Sequence, residues 1–167
     1  MSALDPRIIN ALTCLDPNKD RPSCAGAPSV LGVLRGVDHV FACWRPYQGW
    51  PNIREIGLHV AFWENCLCNR LTDTKKSLGL KIRKNGWVVW ADSVEPDAWK
   101  ADVALIKDVH TKAVAALETF SPSRLDQCIG AKTVHTAASH ILGIAMHSLY
   151  HAGRMKMIKE LYVARDS

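Results

Sequence analysis

The stretch from 133 to 162, TVHTAASHILGIAMHSLYHAGRMKMIKELY, decides how the rest of the chain is read. Within it His140, Ile144, His147, His151, Met155 and Ile158 follow one another at intervals of 4, 3, 4, 4 and 3, the recurrence of one face of an α-helix. The spacing predicts a long helix whose core-facing stripe carries histidine among its apolar residues.

The same periodicity appears three times upstream. Val30, Leu34, Val37, Phe41 and Trp44 predict a first long helix over about 28–44, ended by RPYQGWP. Asn52, with Glu55 three residues later, caps a second helix over about 53–71, whose stripe is Ile53, Ile56, Val60, Trp63, Leu67 and Leu71. Pro96 opens a third, carrying Trp99, Val103, Ile106, Ala113, Leu117 and Phe120 and stopped near 121 by SPSR. The connection over 72–95 is too long and too polar for a tight helix link. Its LKIRKNGWVVW places Asn85 and Gly86 between two β-prone runs, which predicts a small β-hairpin. Asp5 and Pro6 ahead of Ile8, Ile9 and Leu12 predict a short N-terminal helix. The expected architecture is all-α. A single domain spans 1–167, with an N-terminal extension over 1–27 and a four-helix bundle over 28–162 that has one long crossover between its second and third helices.

A chain of 167 residues is sized for one core, and 48% hydrophobic with 22% charged residues excludes a disordered tail or a disulfide-packed miniprotein. No apolar run is long enough for a membrane span, and the first 25 residues lack the pattern of a secretory signal, so a cytoplasmic protein with no membrane partner is expected. The six cysteines form no CxxC pair and are read as reduced thiols. Cys66 and Cys68, two apart on a helix, face opposite ways and cannot share an ion. The net charge of +5 gathers only in Arg70, Lys75, Lys76, Lys81, Arg83 and Lys84 around one connection, which reads as a solvated loop. A nucleic-acid partner is not expected.

Histidine is the residue type to follow. His147 and His151, one helical turn apart, bring two imidazoles onto one face about 5 to 6 Å apart at Cβ, a spacing that can grip one ion. Such pairs also arise as one hydrogen-bonded histidine beside an exposed one, so a third ligand is needed. His59, beside the stripe of the second helix, is the candidate if the second and fourth helices run antiparallel. Ser148 stands where HExxH metallopeptidases have glutamate, which disfavours that mechanism. His110 lies on the stripe of the third helix and is either an ordinary boundary histidine or one that faces the substrate or supports the site.

GLHVAFWENCLCNRL and GIAMHSLYHAGRMKMIKEL resemble the second- and fourth-helix signatures of the DinB-like (DNA-damage-inducible, YfiT-like) superfamily, and the W-x-x-x-x-E-P-D-A-W approach to the third helix is similar too. The resemblance covers roughly 28–162. It implies a divalent metal held at one end of a four-helix bundle by His59, His147 and His151. Many relatives have glutamine after HAG where this chain has Arg154, a residue on the face of His147 and His151 that either clamps a substrate carboxylate or snorkels from the rim or pairs with an acidic neighbour.

Three imidazoles leave coordination positions open for water or substrate, as in catalytic zinc sites. Imidazole suits several ions, and zinc is expected first and nickel second, with iron admissible. Characterised members of the superfamily include transferases and isomerases that use low-molecular-weight thiols such as bacillithiol and mycothiol. The resemblance therefore implies a metal-dependent enzyme, a thiol-dependent S-transferase or a hydrolase acting on a small electrophilic molecule. The alternative is a non-catalytic metal-binding or stress-response bundle. A homodimer is expected from the family habit.

Overall fold

The computed structural model of the protein describes residues 27–130 and 134–165. The expected N-terminal helix, Cys14, Cys24 and the first residue of the expected fourth helix lie outside them. The fold is mainly helical: α1 (Val30–Val33), α2 (His39–Cys43), α3 (Ile53–Leu71), α4 (Pro96–Thr119) and α5 (Ala137–Ala164).

The three long helices begin where their capping chemistry places them. The Asn52 side chain accepts from the Glu55 amide while the Glu55 carboxylate accepts from the Asn52 amide, a complete capping box at the start of α3. Pro96 occupies the first turn of α4, where no backbone donor is needed. The Thr136 hydroxyl accepts from the Ser139 amide to start α5.

The first expected helix is interrupted, and two short helices stand in its place. Gly36 adopts φ +71°, a left-handed conformation that ends α1, and Asp38 then caps α2 by accepting from the Phe41 amide at 2.8 Å. The apolar 4-3-4-3 spacing survives the break because Val37 still packs into the core, pinned where its carbonyl accepts from Trp99 Nε1 at 2.9 Å. In the crossover, Lys84–Gly86 forms a 3-10 turn with Asn85 and Gly86 both at positive φ. The flanking runs meet in a single antiparallel bridge, Ile82 with Val88, and no strand forms among the described residues.

Two apolar clusters fill the interior. One gathers Phe41, Ile53, Ile56, Trp99, Ile106 and Met155 with their neighbours; the other gathers Leu67, Leu71, Leu117, Phe120 and Ile141. Along α3 and α4 the chain passes from the first cluster to the second, and along α5 it returns. Thus α3 and α4 run parallel, which is why a long crossover must join them, and α5 runs antiparallel to both. α3 is central, packed against both α4 and α5. Gly57 permits the close approach of α3 to α4, because a Cβ there would sit 2.9 Å from Ile106 Cδ1.

Candidate metal centre

Between the two apolar clusters lies a polar layer. α3 contributes His59 and Glu64, α4 contributes His110, and α5 contributes His147, Ser148 and His151. The periodicity that buries leucine elsewhere buries His59, Glu64, Ser148 and His151 here and leaves His110 and His147 half-buried.

Three of the histidines converge. One ring nitrogen from each of His59, His147 and His151 lies within 4.8 Å of the others. The Nε2 atoms of His59 and His147 stand 3.1 Å apart. That is the distance of a hydrogen bond between one protonated and one bare ring nitrogen, and it is also close to the about 3.3 Å between two nitrogens bound tetrahedrally to one zinc, so the pair is spaced for either. The His147 and His151 rings, one turn apart on α5, are 4.4 Å apart at their centroids.

The electrostatics favour neutral rings, the form that binds a metal. Burial lowers the pKa of His59 to about 4, the Gly86 backbone hydrogen bond pulling the other way and the His147 and Arg154 charges adding to the fall. Burial lowers His151 to about 3, with His147, His59 and Arg154 reinforcing it. His147 is lowered by burial too, against the opposing pull of the Glu64 carboxylate. The Nδ1 atoms of His147 and His151 are buried without a hydrogen-bond partner. Two buried imidazoles and one half-buried, with no thiolate beside them among the described residues, suit zinc, nickel or iron(II), and the donor set fits a divalent ion.

Aromatic side chains wall the cluster. Trp87, carried by the crossover, stacks on His59 with ring centroids 4.0 Å apart and planes 6° from parallel. Trp63 and Tyr150 stand edge-on to His147 and His151, respectively. Beside the cluster a cleft of about 380 Å³ is lined by Trp87, Trp90, Arg83, Lys84 and Arg154.

Arg154 reaches this cleft, and its charge lies close enough to the histidines to lower the pKa of two of them. His110 is placed elsewhere. Its Nδ1 is 3.2 Å from Glu64 Oε2, the other Glu64 oxygen accepts from Ser148 Oγ at 3.1 Å, and the three line a separate pocket of about 30 Å³. His140 is taken up by Arg70 at 3.1 Å and stays out of the cluster. The four described cysteines are free and none joins the site.

Sequence reasoning missed Trp87, Arg83, Lys84, Glu64 and Ser148. Glu64 closes the HVAFWE segment that holds His59, and Ser148 directly follows a candidate ligand, so both were adjacent to a signal. Arg83 and Lys84 were absorbed into a solvated charge run, whereas the turn that Lys84 opens folds back over α3.

A family model described as DinB superfamily matches residues 28–155, a span that holds all three clustered histidines and Arg154. No curated protein and no solved structure matches the chain. The family match covers most of the sequence and agrees with the helical fold and the histidine cluster, and the chain belongs to the DinB superfamily.

Proposed function

We propose that the protein is a divalent-metal-dependent enzyme in which His59, His147 and His151 are the ligands, zinc is the first-ranked ion and nickel the second. The observation that carries this reading is the convergence of three imidazoles, two buried and one half-buried, beside a cleft large enough for a small molecule. A non-catalytic ion tying α3 to α5 would need no such cleft. When bound, the ion would lower the pKa of a water or thiol and polarise a carbonyl, which serves a low-molecular-weight-thiol-dependent S-transferase or a hydrolase acting on a small electrophile.

The chain's own residues have assigned tasks in this scheme. The three rings stay deprotonated near neutral pH because burial penalises their charge. Trp87 and Trp63 keep bulk water from two sides of the cluster. Glu64, held between His110 and Ser148, places a carboxylate near His147. His110 acts through Glu64, and Arg154 meets the substrate.

Two further features belong to the same reading. α1 and α2 together take the place of one long helix, which makes the domain a four-helix bundle of the family type. Two copies pair through the outer face of α5, where Leu142, Met146, Leu149, Met157 and Leu161 are exposed.

Elemental analysis of untagged protein beside His147→Ala tests the metal. Near one equivalent per chain in the parent and near none in the variant is expected. If both contain none and added zinc or nickel leaves the Tm unchanged, the reading is lost.

A further inference from the structure

We propose that the cleft beside the histidines is the seat of an anionic small molecule, its carboxylate or phosphate held between Arg154 and Arg83 and its apolar body lying against Trp87. This deepens the reading above by naming a substrate class, and it rests on that reading only for what happens at the ion.

The cleft carries an imbalance of charge. Arg83, Lys84 and Arg154 line one cleft, and among the described residues no acidic side chain lines it with them. Among the described residues none of the three has an ion pair, whereas nearby Arg45 is fully engaged by Glu55 and Asp92. Arg83 and Arg154 instead lie over aromatic rings, Trp90 at 5.2 Å and Tyr150 at 5.7 Å, contacts that hold a guanidinium in place without neutralising it. Uncompensated cations converging on one concavity cost stability through mutual repulsion, and an anion removes that cost. Guanidinium forks suit the planar oxygens of carboxylate or phosphate.

The cleft is also amphipathic. Trp87 and Trp90 supply indole wall, and the volume of about 380 Å³ falls in the range of small-molecule sites. Trp87 belongs to both places, stacked on His59 and lining the cleft. Arg154 stands one turn after His151. A molecule anchored there presents its other end to the histidine cluster, which fixes orientation as well as affinity.

Calorimetric titration of metal-stripped protein with three probes tests this directly. 2-Naphthoate is expected to bind, its neutral isostere 2-naphthamide at least about tenfold more weakly, and acetate too weakly to detect. Arg154→Gln should weaken naphthoate by about tenfold and leave naphthamide unchanged, a split that a merely unfolded variant cannot produce; Arg154→Lys should restore part of the loss. Equal binding of naphthoate and naphthamide, or no effect of Arg154→Gln, overturns the proposal. So does naphthoate binding that occurs only in metal-loaded protein, because the anion would then be a ligand of the ion. Protein that binds naphthoate but holds no metal as purified and gains no Tm from added zinc or nickel defeats the metal reading and leaves this one standing.

Discussion

His59 meets several demands at once. Its ring is 4% exposed, its Nε2 faces that of His147, and Trp87 covers one of its faces. Such a ring is costly to protonate, and the cost has a measurable sign. The ordinary value of 6.5 falls to about 4 in His59 and about 3 in His151. The unfolded chain therefore takes up protons below pH 6.5 that the folded rings refuse. The stability of metal-free protein is accordingly present above pH 6.5 and is lost as pH falls toward 4 and 3. Between pH 7 and pH 5 each ring should cost roughly 1–2 kcal/mol, read as a falling urea midpoint. His151→Gln should shrink that fall; an unchanged pH dependence in the variant would show that the ring is not buried as described. At this scale His147 and His151 were legible because the 4-3-4 spacing that fills a core also selects its polar members, whereas His59, beside its stripe, was reached only through the expected antiparallel run of its helix. Glu64 and Ser148 were not legible as a pair, being 84 residues apart and joined only by the packing of α3 on α5.

At the scale of elements, the crossover is the piece that spacing could not foresee. Its charged, Gly-containing sequence has the composition of a solvated loop, yet it is tied down at both ends of its Trp-bearing part. Ala91 donates to Glu55, and its carbonyl accepts from the Asn52 side chain, so the cap of α3 also anchors the loop. Glu55 is fully buried and receives two bonds from Arg45, whose pKa is raised chiefly by that pairing. At the other end Gly86 sits at φ +76°, and a Cβ there would come within 2.6 Å of Phe62 Cδ1 and 2.7 Å of Trp63 Nε1. Gly86→Ala combines a disfavoured backbone with a clash and should cost more than about 1 kcal/mol. It should lift Trp87 off His59, changing the near-ultraviolet circular dichroism and weakening naphthoate while the metal content persists. Unaltered dichroism and Tm would refute this account of the loop. The long helices were readable because their caps are local chemistry, Asn52 with Glu55 and Pro96. The break at Gly36 was equally local, but an unbroken apolar rhythm across it outweighed the glycine and Asp38.

At the scale of the molecule, one polar layer lies between two apolar clusters, and the outer face of α5 exposes several large apolar side chains beside the Lys156–Glu160 pair. Leu142, Met146, Leu149, Met157 and Leu161 share that face at helical spacings, and a second copy would bury them. Light scattering should give twice the 18.5 kDa mass of the chain, and Met146→Glu should return it to one. A parent that already scatters as one chain at working concentration defeats the dimer.

The parallel run of α3 and α4 has one more consequence, for how the molecule comes into being. His59 precedes its partner His147 by 88 residues. During synthesis α3 is therefore complete, its polar notch and apolar face uncovered, long before α5 leaves the ribosome. The centre cannot assemble piecemeal, because it closes only when the final helix returns antiparallel along the first long one. Refolding should be slower than in an up-and-down bundle of equal length, whose neighbours in sequence are neighbours in space.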